Sequence, residues 1–506
     1  MTSCHLAARL EFPSIVLELI LIAHTRSPCR CLFAPPIHAG PPTLYTDSHS
    51  PHTTLGETSG AEIGSREGAP PNLVWLSQMQ GSDAPKDCTN EPGCLTRRHV
   101  LQGFVAALVP AALGTGVARA GQTATAEIGP LSGSVLPPGI RSRFVDDVNG
   151  LRMHVLEAGF ETPGRPALLL LHGYPELAYS WRNVMGPLSA AGFHVFAPDV
   201  RGYGRTTSAP VAYTDDLRPF GSLNKIQDML ALVSAMGYRS VAAVIGHDQG
   251  SPLAGWCACA RPDVFKAVAM MSAPFGGAPT LPFNTANGSR PAAPEADTIY
   301  DDLAKLTPPR KHYQRYYQTR EANENMWHPR QGLHAFLRAY YHMKSADWKQ
   351  NRPAPLAART ASEWAKLPRY YVMDLDKGMA EQVAAEMPSA EQIVANRWLP
   401  EAELRVYAEE YGRTGFQGGL NGYRGSPSNV DLRVLAGRTI DVPSTFMGGK
   451  SDWGVYQNPG ALERLEKTVT TKYRGTHLVD GAGHWVQQEQ PAVVSRLLID
   501  FLKSAS

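Results

Sequence analysis

The sequence predicts an α/β fold: a mainly parallel sheet flanked by helices, with a mostly helical cap inserted into it. Three observations predict this. From about Arg141 onward, short aliphatic runs alternate with amphipathic segments, as expected of βα units around a parallel sheet. Between about Thr280 and Gly437 a stretch rich in Tyr, Trp, Arg and Pro breaks the alternation with a helical pattern and long loops. The strand-like runs then resume, so the interruption falls between two strands of one sheet.

The elements follow in order. Asn149-Gly150 sits between two strand-like segments of Arg143 to Glu157, a hairpin signal because both residues tolerate positive φ. Ala167 to Leu171 is continuously aliphatic, which suits a strand buried on both faces. Phe193 to Ala197, Val241 to Ile245, Ala267 to Met271 and Ser444 to Met447 repeat the theme. Leu223, Ile226, Met229, Leu230, Val233 and Met236 fall at helical spacing and make one packing face. Val494, Leu497, Leu498 and Phe501 do the same in a final helix.

The chain has 506 residues, with 43% hydrophobic and 19% charged, the balance of an ordinary globular protein. A net charge of +2 without long like-charged runs argues against nucleic acid or an anionic membrane as partner. Small molecules are the expected partners, and nothing speaks on oligomeric state. Five of the seven cysteines precede residue 100. Cys257 and Cys259, two apart in a helical pattern, point to different faces and do not suit a disulfide. No Cys or His pair at ligand spacing joins them, so neither a metal nor a cofactor is expected.

Residues 96 to 120 contain Arg97-Arg98, an apolar run from Gly103 to Val117 and the small-x-small triplet Ala118-Arg119-Ala120. That arrangement is a twin-arginine export signal, and its apolar run is shorter than the roughly 20 residues of a membrane-spanning helix. The expected organisation is therefore an over-extended start or disordered leader at 1–78, with Met79 close upstream of the arginines, and an export signal at 79–120. The first part of the core follows at 121–279, a cap at 280–437 and the second part of the core at 438–506. The mature protein would be periplasmic or secreted, without a membrane anchor.

The chemistry gathers in four loops. Gly246-His247-Asp248-Gln249-Gly250 follows the run Val241 to Ile245 and precedes a helical pattern. Small residues two before and two after a central residue are what a tight strand-to-helix turn needs when it presents a nucleophile. Here that residue is Asp248, which can attack carbon and form an ester that must itself be hydrolysed. His484, in Gly481-Ala-Gly-His-Trp485, stands on a late glycine-rich loop suited to placing an imidazole over the nucleophile. Asp452, in Gly448-Gly-Lys-Ser-Asp-Trp-Gly, can accept the imidazole Nδ1 proton. The alternative loop Met271-Ser-Ala-Pro-Phe carries no carboxylate. His172-Gly-Tyr174-Pro-Glu176 completes the set, with the backbone amides of Tyr174 and Gln249 as expected oxyanion-hole donors.

Together with Asp199-Val-Arg-Gly-Tyr-Gly, these loops resemble those of the epoxide hydrolases in the α/β-hydrolase superfamily, over residues of about 141 to 504. The resemblance implies an α/β-hydrolase fold and opening of a small apolar epoxide by water through a covalent aspartyl ester. It extends into the cap, where Leu420-Asn-Gly-Tyr423-Arg resembles the segment bearing one lid tyrosine. His312-Tyr313-Gln-Arg-Tyr316-Tyr317 resembles the segment bearing the other, with Tyr313 the match and Tyr316 and Tyr317 the alternatives. Phenols with an ordinary pKa of about 10 can protonate the leaving alkoxide. His172, a loop-shaping hydrogen-bonder rather than a proton carrier, and Trp485 are expected beside the substrate. Two residues depart from the family's habit: Gln249 where Trp is common, and Gly422 where a larger residue precedes the lid tyrosine.

A haloalkane or haloacid dehalogenase would use the same triad, but its halide cradle favours a Trp N–H beside the nucleophile, which Gln249 does not supply. A serine esterase lacks its Gly-x-Ser-x-Gly after any strand. A non-catalytic binder on the same scaffold remains the alternative from another class.

Overall fold

The computed structural model describes residues 128–207, 210–281 and 297–505, the side chains of 426–430 excepted. The expected leader, the twin-arginine segment and its cleavage triplet lie outside these residues.

Ten strands are described: β1 Ile140–Val148, β2 Leu151–Ala158, β3 Ala167–Leu171, β4 His194–Pro198, β5 Ala243–His247, β6 Val268–Met271, β7 Arg310–His312, β8 Val372–Asp374, β9 Ser444–Gly449 and β10 Tyr473–Val479. Eight form one sheet in the order β1-β2-β4-β3-β5-β6-β9-β10. The pairs β1/β2 and β2/β4 are antiparallel, and every pair from β4 to β10 is parallel. The hairpin turns at Asn149 (φ 49°) and Gly150 (φ 77°), the paired positive φ values of a type I′ turn.

All residues of β3, β5, β6 and β9 are buried, because helices cover both faces of the parallel part. On the helix Ser222–Ala235 the buried apolar positions are Ile226, Met229, Leu232 and Val233, with Leu223, Leu230 and Met236 at the margin. The helix is thus rotated slightly from the expected face, which seats Asp228 in the interior against Arg201 at 2.7 Å. Each fully buried aliphatic side chain contributes about 1.5–3 kcal/mol. Cys257 and Cys259 are buried free thiols.

Between β6 and β9 lies the cap, mostly helical, with only the short antiparallel pair β7/β8. Its helices Tyr313–Tyr317, Leu333–Lys344, Glu401–Thr414 and Gln417–Gly425 lie over the carboxyl ends of the parallel strands. Arg182 of the core, fully buried, pairs there with Glu403 of the cap. The carboxyl edge of an open parallel sheet is where such folds bind ligands.

Candidate active site

Strand β5 runs two residues further than its aliphatic run suggests. Gly246 and His247 remain paired with Met270 and Met271 of β6, so the turn begins only at Asp248. That residue has φ 51°, a left-handed conformation costing a non-glycine residue about 1–2 kcal/mol. The reason for glycine on either side is steric: a Cβ on Gly246 would stand 1.9 Å from the Gly250 carbonyl oxygen, and one on Gly250 would stand 2.2 Å from that of Leu171. The strain turns Asp248 out over the sheet edge. Its Oδ1 accepts a hydrogen bond from the Tyr174 amide at 2.8 Å. The Gln249 amide makes no bond to the carboxylate in this arrangement.

His484 arrives from the loop after β10. Its Nδ1 lies 3.1 Å from Oδ1 of Asp452, and its Nε2 lies 3.3 Å from Oδ2 of Asp248, off the line a hydrogen bond needs. Burial would raise the pKa of Asp248, but the His484 contact and the charges of His484 and Lys344 outweigh it and hold the carboxyl well below its usual range. Burial likewise opposes ionisation of Asp452, and His484 and the Gly454 amide overcome it. Both acids are therefore ionised at neutral pH. The ring donates its Nδ1–H to the Asp452 carboxylate, and Nε2 is the free basic position of the ring.

The histidine loop is pinned on all sides. Glu489 accepts from the amides of Gly483 and Trp485 at 2.9 and 3.0 Å and from that of Ala346 in the cap at 2.8 Å. The His484 amide donates to the Lys344 carbonyl at 2.8 Å, an approach open only because Gly483 has no side chain: a Cβ there would stand 2.6 Å from that oxygen.

Behind the triad stands a pair that sequence reading left without a role. His247 Nδ1 is 2.6 Å from Oε2 of Glu176, and its Nε2 donates to the His484 carbonyl at 2.6 Å. Burial lowers the pKa of His247, but Glu176 reverses the shift and raises it; burial raises that of Glu176, and His247 reverses this too. The two form an ion pair holding the His484 backbone. Gln487 and Gln488 add donors to Glu176 at 3.0 and 2.7 Å. The available signal was two titratable residues inside the motif loops. Lys344 was missed as well. It is buried, with its ammonium 5.2 to 5.5 Å from the ring centres of Tyr340, Tyr371 and Trp485. Burial lowers its pKa against the pull of Asp248, Asp452 and Glu176.

The cap supplies the tyrosines. Tyr313 and Tyr423 have ring centres 6.1 Å apart, and Tyr423 lies 5.6 Å from Tyr174. Burial, reinforced by the Asp248 charge, pushes both phenols well above their usual pKa, so each keeps its proton. Tyr313 hydroxyl also meets Gln457 Oε1 at 3.4 Å and Gln314 Nε2 at 3.1 Å. Of the alternatives, Tyr317 is engaged with the Tyr340 hydroxyl at 3.1 Å, and Tyr316 packs under Lys311.

Two expected substrate contacts take a different place. His172 receives the Val200 amide on Nε2 and directs Nδ1 to the Gly173 carbonyl, so both nitrogens shape the loop. Trp485 is fully buried, donates to the Tyr341 carbonyl at 2.9 Å and packs edge-on to His484 at 4.7 Å. Neither has a polar group left for a ligand, because each holds a catalytic loop against its neighbours.

This fold and this triad define an α/β hydrolase, and a family model described as alpha/beta hydrolase fold matches residues 166–491; the chain belongs to that family. Within it, the chain is 31% identical to epoxide hydrolase A of Mycobacterium tuberculosis over 363 residues, 70% of this chain and 95% of the relative. It is 32% identical to an epoxide hydrolase of Caballeronia sordidicola over 368 residues, 70% and 92% of the two chains. The solved structure of an epoxide hydrolase from an endophytic Streptomyces aligns with a TM-score of 0.56 at 31% identity, covering 73% of this chain and 96% of that one. The chain is thus a member of the epoxide hydrolase branch.

Proposed function

We propose that this enzyme opens epoxides to vicinal diols through an ester on Asp248. The observation that carries the reading is an aspartate, not a serine, at the strained turn, whose charge acts on two buried phenols of the cap that keep their protons. Oδ1 is held by the Tyr174 amide, which leaves Oδ2 to attack a ring carbon. As the ring C–O bond breaks, Tyr313 or Tyr423 gives its proton to the alkoxide. Water then surrenders a proton to Nε2 of His484 and adds to the ester carbonyl, with the Tyr174 and Gln249 amides bearing the oxyanion charge. Collapse expels the second diol oxygen, which takes the proton from the His484 imidazolium, and the proton left on the Asp248 carboxyl returns to the tyrosinate, so that the diol leaves and every group is restored. The residue after the nucleophile, Gln249, carries no indole N–H to cradle a halide, and its side-chain carbonyl accepts from the Tyr203 hydroxyl at 2.8 Å.

The test follows one oxygen atom. With enzyme in excess over epoxide in ¹⁸O-water, the first-turnover diol should be unlabelled and the label should enter the peptide containing Asp248. A fully labelled diol with an unlabelled peptide would overturn the two-step reading. We further infer export to the periplasm or beyond from Arg97-Arg98 and the apolar run behind them. Mass spectrometry of the native N-terminus tests it, with a start near Gly121 as the expected result.

A further inference from the structure

A cavity of about 430 Å³ opens to solvent beside the residue that follows the nucleophile, and Gln249 and Tyr423 belong to its wall. Its lining includes Ser222, Lys225, Gln249, Gln314, Gln318, Tyr300 and Tyr423, and no carboxylate is among the described residues that line it. We infer that this cavity holds the substrate's tail and selects epoxides bearing a carboxylate or similar anionic group away from the ring, with Lys225 as the recognising cation. The inference rests on the epoxide-opening reading above and names the substrate class of that site.

Three observations support it. The Lys225 backbone N–H donates to the Gly221 carbonyl at 3.1 Å, but its ammonium makes no hydrogen bond or ion pair among the described residues. The acid nearest in sequence, Asp228, is already occupied: Arg201 binds it through two nitrogens at 2.7 and 2.9 Å, and Asn149 donates to it at 2.7 Å. The ammonium therefore stands at the cavity wall with the Asp228 charge acting on it but without an ion pair of its own among the described residues, where a partly desolvated cation gains from an incoming anion.

The second observation joins the two residues that depart from the family's habit. A Cβ built on Gly422 would stand 3.1 Å from both the Lys225 Nζ and the Gln249 Oε1. The missing side chain at 422 and the exchange at 249 thus meet at one spot, and together they make room for a cation and an amide where an indole and a larger side chain would make an apolar wall. The third is orientation. Because the Tyr203 hydroxyl engages the Gln249 carbonyl oxygen, the two N–H groups of that amide remain as donors beside Lys225. An ammonium and an amide that both donate, with no carboxylate among the described lining residues, suit an acceptor-rich anion and not a cationic or purely hydrocarbon tail.

The test compares two epoxides identical except that one ends in a carboxylate and the other in the corresponding carboxamide. kcat/KM for the pair is measured in the wild type and in Lys225→Met, Lys225→Glu and Gly422→Leu variants. The wild type should favour the carboxylate by roughly tenfold, the size one partly exposed charge-assisted hydrogen bond supplies. Lys225→Met should bring the ratio near one, Lys225→Glu should invert it, and Gly422→Leu should lower it by crowding both donors. High salt should compress the wild-type ratio. A wild-type ratio at or below one, or a ratio unchanged in Lys225→Met, overturns the inference while turnover of the carboxamide leaves the epoxide reading standing. If neither epoxide is opened, both readings fall.

Discussion

Replacing His484 by Gln separates the two half-reactions. The side chain changes from an imidazole to a neutral amide of similar reach, while the loop stays held by backbone contacts: His484 amide to Lys344, its carbonyl to His247 and the Ser272 hydroxyl at 3.0 Å, and three amides on Glu489. The fold should therefore survive. Attack by Asp248 needs no base, and its Oδ1 keeps the Tyr174 amide. Hydrolysis of the ester does need one, and general-base assistance is typically worth about 10²–10⁴ in rate, or roughly 3–5 kcal/mol. Deacylation should slow by that factor and become limiting, so the enzyme accumulates as ester. Intact-protein mass spectrometry after mixing with saturating epoxide should show one added substrate mass, and peptide mapping should place it on Asp248. Multiple turnover at near wild-type rate without an adduct would refute the argument.

Further expectations concern the cap and the buried charges. Tyr313→Phe and Tyr423→Phe should each slow ring opening in part, and the double variant should lose about 10²–10⁴ in single-turnover rate; an unchanged rate in Tyr423→Phe would remove the acid role. Lys344→Met withdraws a cation that helps hold Asp248 and Asp452 ionised, so the acid limb of the pH–rate profile should move to higher pH, and Lys344→Arg should restore it. Glu157, buried, binds Arg141 and Arg143 at 2.8 and 2.5 Å and His194 at 3.0 Å. Burial raises its pKa, but His194 and the two arginines together depress it far below the ordinary glutamate value. Its contribution is thus present above pH about 4.5 and is lost as pH falls toward the folded value. Glu157→Gln should lower stability at neutral pH by about 1–3 kcal/mol and flatten the acid loss of Tm between pH 5 and 3.

The chain's local patterns determined the sheet and the site's ingredients. Aliphatic runs named the central strands within a residue or two, since a strand buried on both faces must be apolar throughout. Asn149-Gly150 announced its turn, and Gly246 and Gly250 announced theirs, because a Cβ at either glycine would stand 1.9 or 2.2 Å from a neighbouring carbonyl oxygen. These are short-range constraints, and short-range constraints are visible in sequence. What a side chain faces across hundreds of positions is not. His172 and Trp485 carry the right chemistry for a substrate contact, yet the loops turn their polar atoms inward. Glu176 and His247 lie 71 residues apart, and only the adjacency of β3 and β5 makes them a pair. Lys344 comes from a helix whose sequence shows no reason to bury a charge; it sits there because the cap closes over Asp248 and Asp452, whose fields offset part of its desolvation. Gln249 and Gly422 likewise read as two separate departures, 173 positions apart, until the cap lays one against the other beside Lys225. Propensity and spacing act along the chain, whereas charge compensation and cavity shape act through space, so the loops of the candidate site were legible and their surroundings were decided by the tertiary structure.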